Sequence, residues 1–176
     1  MNYLRKRIRD LASTRAFILL LVVYAAVFGT IIFSMGQLSE YTGGYSILDF
    51  EFGYSPARVQ EILSSYGAEG MRLYARIQLL DLLNPALYAL VLAVLTHKVW
   101  QTRGPKWLPL VALLGAIGDY SENATLFMIV RSFPNVTEDL VALSSALSLL
   151  KNGLLLVSVM PLTIGCLLWL RRKLFP

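Results

Sequence analysis

Four ionisable residues interrupt the apolar stretches of this chain: Asp81, Asp119, Glu122 and Lys151, accompanied by Asn84, Asn123 and Asn152. An ionisable group in hydrocarbon costs about 2.5–3.5 kcal/mol on insertion scales, so it turns to the interior of a helix bundle and has a partner or a task. Helical spacing sorts these residues into faces. Gly115, Asp119, Glu122 and Asn123 share one; Tyr74, Gln78, Asp81, Asn84 and Tyr88 share another. Ser144, Ser148, Lys151 and Ser158 form a third polar stripe, with Asn152 beside it. Three carboxylates face one lysine, and Arg76, about one turn outward of Asp81, is the expected source of further positive charge. Such a cluster suits binding of a cation, a proton or a polar ligand group, with Asp81, Asn84, Asp119, Glu122, Asn123, Lys151, Asn152 and Arg76 as its candidate residues. It also suits acid/base chemistry by Asp119 or Glu122, with Lys151 as electrostatic partner. A third reading is structural, because buried polar groups hold membrane helices together, at about 0.6 kcal/mol each on average. The surplus of acid argues against a pure staple.

Other chemistries find little support. The chain has one histidine, His97, and one cysteine, Cys166, so no metal site, disulfide or haem arrangement is expected, and no cofactor. Neither a nucleophile–base pair nor a glycine-rich phosphate loop is visible. Asp49 and Glu51, between Gly43-Gly44 and Gly53, could hold a divalent ion at the mouth of the pocket, but the favoured reading is a solvated loop.

The elements that must position the cluster are membrane helices. Of 176 residues, 56% are hydrophobic and only 15% charged, too little polar surface to cover a soluble core. The expected fold class is all-α: one membrane domain, residues 1–176, forming a four-transmembrane-helix bundle with spans at about 16–35, 72–97, 107–130 and 140–170. The first outer loop, 37–70, contains a short amphipathic helix: Ser55-Pro56 supplies its N-cap and first position, Val59, Ile62, Leu63 and Tyr66 its apolar stripe, and Gly67 its end. Pro85 is expected to kink the second span. At 1.5 Å per residue, Asp119 lies about 18 Å, Glu122 about 22 Å, Asp81 about 24 Å and Lys151 about 30 Å from the cytoplasmic boundary. Three spans thus bring charge to the outer half of the bilayer, in a pocket between spans two, three and four. Gly115, Gly118 and Ser121 permit close backbone approach there.

Charge sets the orientation. The outer segments 36–76 and 131–139 hold four Lys/Arg against seven Asp/Glu, whereas the three inner segments hold eleven against one. Both termini are therefore expected in the cytoplasm of a multi-pass inner-membrane protein. The basic residues flank apolar runs beside Trp100, Trp107 and Trp169, which marks the lipid bilayer as partner rather than nucleic acid. No small-residue cleavage site follows the first run, only Ser34-Met35-Gly36-Gln37, so it is read as an uncleaved span.

Asp119-Tyr120-Ser121-Glu122-Asn123, following Asp81-Leu82-Leu83-Asn84-Pro85, resembles the intramembrane D-x-x-E-N pattern of small, uncharacterised bacterial four-helix membrane proteins. That resemblance covers most of spans two and three and implies no activity. In architecture alone the chain is similar to emopamil-binding and sigma-2-receptor-like bundles, whose intramembrane acids bind amine or sterol ligands. The expected function is binding or transport of a small cationic or lipid-like ligand. The alternatives are an intramembrane enzyme and a structural or accessory subunit. With four spans and no inverted repeat, transport by this chain implies a homo-oligomer.

Overall fold

A computed structural model describes residues 2–100 and 104–174. Helices and their connections account for all of them, with no strand among the described residues. Six α-helices follow in order: α1 (Asn2–Leu11), α2 (Thr14–Thr42), α3 (Pro56–Asp81), α4 (Asn84–Trp100), α5 (Ala112–Ser132) and α6 (Glu138–Leu174). Three stretches are long and apolar enough to cross a membrane: Thr14–Thr42, Pro56–Trp100 and Glu138–Leu174. This is a helical membrane protein. At 21 residues α5 is as long as a span, about 31 Å. Gly115, Gly118, Asp119, Ser121, Glu122 and Asn123 dilute its apolar character.

Several boundaries differ from those read in the sequence. The basic leader is itself a helix, α1, which packs on α4 with Ile8 buried in the same apolar cluster as Val91 and Val94. The first apolar helix runs on to Thr42, where Gly43 turns into the left-handed region (φ 73°) and its N–H caps the Ser39 carbonyl. The amphipathic helix begins as expected: Ser55 Oγ accepts from the Arg58 N–H at 3.2 Å. It ends at Gly67, whose backbone (φ 56°, ψ −167°) divides α3 into two helical segments without leaving it. Only glycine adopts that conformation at no steric cost. The second predicted span is interrupted at Leu82-Leu83, directly before Asn84-Pro85. Proline lacks the N–H that would have continued the helix and crowds the preceding turn, so the helix restarts at Asn84. Part of the tight inner turn, Gln101–Arg103, lies outside the described residues.

The helices pack with α5 against α6 as the closest pair. Gly115 and Gly118 make this possible: a Cβ on Gly118 would sit 3.0 Å from Lys151 Cα, and the Gly115 N–H donates to Ser158 Oγ at 2.8 Å. α2 packs on α3 and α4 and scarcely touches α6. One apolar core joins α2, α3, α5 and the start of α6 around Leu38, Tyr66, Tyr74 and Leu126. A second joins α1, α2 and α4.

Candidate functional site

The polar residues of α4, α5 and α6 converge as their spacing predicts, but they divide into two networks and a cavity wall. The first network is an ion pair. Glu122 is fully enclosed, and its carboxylate contacts the Lys151 ammonium across the α5–α6 seam. Apart from that contact neither carboxylate oxygen has a hydrogen-bond partner. Lys151 also donates to the Asp49 carbonyl at 3.2 Å. Ser144, Ser148 and Ser158 complete a buried stripe on α6. Ser144 bonds both Thr125 Oγ1 (2.8 Å) and the Tyr54 hydroxyl (2.6 Å).

The second network surrounds Asp81, the last residue of α3. Its two oxygens accept from the amides of Asn84 (3.0 Å) and Asn123 (2.7 Å). Asn84, three residues on, lies on the same face as Asp81, as the spacing predicts. Arg76, the expected cationic partner, is not part of this network. It is exposed on α3, in a shallow groove with Glu69 and Tyr41, and two neutral amides serve Asp81 instead.

Beside these networks lies a cavity of about 720 Å³. Asp119, Lys151 and Asn152 contribute its polar side, together with Asn84 and Tyr88 of α4. Tyr24 and Phe28 of α2, Val91 and Leu92 of α4 and Leu155 of α6 make the apolar walls. The Tyr88 hydroxyl is shielded from solvent and lies against the Asp119 carboxylate. A smaller space of about 80 Å³ extends it toward Asp81 and Gln78. Glu122 and Asn123 do not line the cavity: Glu122 is covered by Lys151, and Asn123 borders a separate groove with Tyr120 and Phe127. Of the two acid/base candidates, only Asp119 reaches the open space.

Two contributors differ from expectation. The cavity has a wall from the first apolar helix, α2, and a lid from the outer loop. Residues 45–54 of that loop fold against the bundle, with Ile47, Leu48 and Tyr54 buried while Phe50 and Phe52 stay exposed. Side chains satisfy the loop backbone that this encloses, as an irregular segment at depth requires. Tyr66 Oη donates to the Ser46 carbonyl (2.7 Å), Ser148 Oγ to the Glu51 carbonyl (3.2 Å), and the Tyr54 N–H donates to Ser145 Oγ (3.0 Å). Arg58 ties the loop to α3 by pairing Glu51 at 2.7 Å and Glu61 at 3.0 Å.

Asp49 is therefore a site residue that sequence reasoning placed in solvent. Its carboxylate accepts from the Tyr74 hydroxyl at 2.9 Å and borders both cavities. Burial, then the nearby Asp81 and Glu122 carboxylates, push its pKa up to about 7, with Lys151 and Tyr74 opposing. The available signal was the run Asp49-Phe50-Glu51-Phe52, where acids alternate with aromatics in a way no solvated loop requires.

No protein-family model, curated protein or solved structure matches the chain, in keeping with a sequence that resembles no characterised family. Among the described residues no cluster of His, Cys, Asp and Glu has the geometry of a metal site.

Proposed function

We propose that this protein is a four-span inner-membrane protein, with both termini cytoplasmic, that binds or transports a small cationic, lipid-like molecule in the outer half of the bundle. The observation that carries the reading is the cavity's charge. Asp119 borders it together with Asp49, which takes up a proton near pH 7, whereas Lys151, the cation on its wall, is engaged by Glu122. A carboxylate whose neighbours are a neutral hydroxyl and an apolar surround favours a ligand that brings positive charge. The apolar walls match a hydrocarbon body, and α2 and α6, which scarcely touch, flank the side from which a molecule dissolved in lipid would enter. Support for the fourth span comes from α5, which has spanning length and buries Gly115, Gly118 and Glu122 inside the bundle. The charge bias, eleven Lys/Arg against one acid on the inner segments, supports the orientation. Transport would engage more than one copy of so small a bundle. The enclosed pairing of Glu122 with Lys151 favours a second role, structural, for those two residues alone.

The test is a thermal shift of protein reconstituted in zwitterionic nanodiscs, with dodecylamine compared against dodecanol. Saturating amine at about 100 times its Kd is expected to stabilise the protein by about 2.7 kcal/mol. The preference for amine over alcohol should vanish in Asp119→Asn, which removes the charge while keeping an oxygen that can accept from Tyr88. Equal shifts from amine and alcohol, or an amine shift unchanged in the variant, would sink the reading.

A further inference from the structure

At the opposite end of the bundle, α1, the end of α4 and the turn before α5 enclose a second cavity, of about 350 Å³. Arg5, Lys6 and Arg9 line it from α1, His97 from α4 and Lys106 from the turn. No acidic residue lines it among those described. The size is that of a ligand pocket rather than a packing flaw.

α1 is held in a fixed place rather than trailing in solvent. Ile8 is buried against α4, and Lys98 donates to the Ala12 carbonyl at 2.8 Å while lying over the Phe17 ring. This docking selects which basic residues face inward. Arg7 points elsewhere, its guanidinium bonded to Tyr3 Oη at 2.6 and 2.9 Å. Arg5 faces the cavity, and its Nε is shielded from solvent with no acceptor among the described residues. A buried guanidinium N–H without an acceptor is costly, and an anion supplies what it lacks. Trp100 fixes the floor: its indole N–H is engaged by the Pro161 carbonyl at 2.8 Å, so the ring turns into the bundle rather than joining an interfacial belt.

We propose that this basic cavity binds a phosphate group, either the phosphodiester of a lipid headgroup or free inorganic phosphate. Arg5 and Arg9 supply planar, paired donors, and Lys6 and Lys106 supply point charges. Basic pockets between membrane helices on the positively biased side are suited to anionic headgroups. Ile8, Trp100 and Pro109 add apolar wall, against which a glycerol backbone or acyl chain can lie. The site is separate from the carboxylate cavity and does not depend on what that cavity binds.

The experiment uses the full chain, delipidated in detergent and then supplied with phosphatidylglycerol, phosphatidylcholine or sodium phosphate. Native mass spectrometry and phosphorus NMR count what stays bound. Retention of one phosphatidylglycerol per chain, preferred over phosphatidylcholine, supports the site and identifies the source as an anionic lipid. Retention of inorganic phosphate supports it and identifies a soluble source. Retention of neither overturns the proposal. Arg5→Gln and Lys106→Gln should each weaken retention about tenfold, while the paired change Arg171→Gln/Arg172→Gln, at exposed positions on α6, should not. Equal weakening by the α6 pair would show a diffuse charge effect and overturn the proposal. Lys106 lies in a turn, so its variant remains informative if Arg5→Gln does not fold.

Discussion

Lys151→Met isolates what the buried ion pair contributes. In the native protein the Glu122 carboxylate is fully enclosed and its one polar contact is the Lys151 ammonium. Methionine keeps most of the lysine's length and volume, so packing against Gly118 is retained and the change is almost purely one of charge. Two magnitudes compete. If the pair acts as an ordinary interhelical polar contact, its loss costs about 0.6 kcal/mol. If instead an uncompensated carboxylate is stranded in the interior, the loss is about 3–5 kcal/mol. The structure favours the larger value, since neither Glu122 oxygen has another partner and the side chain has no exposure through which water can relieve it. The double variant Glu122→Gln/Lys151→Met removes both charges and should recover to within about 1 kcal/mol of wild type, giving a coupling energy of about 3 kcal/mol. The assay is reversible unfolding in mixed micelles titrated with SDS, run on wild type, both single variants and the double. A loss under 1 kcal/mol for Lys151→Met, or a double variant no more stable than the single, would refute the reasoning and return the pair to the status of a weak contact.

Two other perturbations probe separate parts of the site. Because burial raises the Asp49 pKa to about 7, the native state holds a proton that the unfolded chain releases near pH 4. Stability should therefore fall between about pH 4 and 7, by at most about 1.4 kcal/mol per pH unit, and Asp49→Asn should flatten that slope in thermal melts across pH 5 to 8. Gly118→Leu forces a side chain against Lys151 Cα, which a Cβ alone would meet at 3.0 Å. It should cost about 1–3 kcal/mol by the same unfolding assay, whereas Gly153→Leu, with open space at that position, should cost under 1 kcal/mol beyond its gain in helix propensity.

What was legible in the sequence follows from which physical signals are local. Hydrocarbon imposes a length and an apolar composition on any helix that crosses it, so the apolar helices stand out directly. Helical periodicity is also local, and it placed Ser144, Ser148, Lys151 and Ser158 on one buried stripe and Gly115 and Gly118 at a close helix contact. Pairing is not local. Asp81 has Arg76 one turn away on the same helix, yet its second oxygen is met by Asn123, which α5 delivers from 42 residues further along the chain. Lys151 reaches Glu122 rather than Asp119, although spacing alone cannot separate two acids three residues apart. The outer loop was misread for a related reason. A run of glycines and acids resembles solvated loop by composition, and only the partners on α3 and α6 reveal that its backbone is satisfied inside the bundle. The helical character of the basic leader was hidden because its charges dominate, leaving Ile8 and Leu11 as its few apolar contacts.

The division of the acids bears on what the bundle can bind. A small membrane protein has two ways to tolerate an intramembrane carboxylate: to satisfy it with fixed partners, or to leave it facing a space where something mobile can do so. Glu122 and Asp81 follow the first course, with an ammonium and two amides held by neighbouring helices. Asp119 follows the second, facing the cavity with only the neutral Tyr88 hydroxyl beside it. Fixed partners on both sides of Asp119 hold α4, α5 and α6 in register, so the cavity keeps its shape without Asp119 contributing to it. That separation of duties is why the amine preference and the unfolding energy should respond to different substitutions: Asp119→Asn should change the first and spare the second, and Asn123→Ala, which removes an amide that holds Asp81 but does not line the cavity, should do the reverse at sub-denaturing SDS. If both properties moved together in both variants, the staples and the cavity wall would be one cooperative unit, and Asp119 would have to be counted among the residues that hold the helices together.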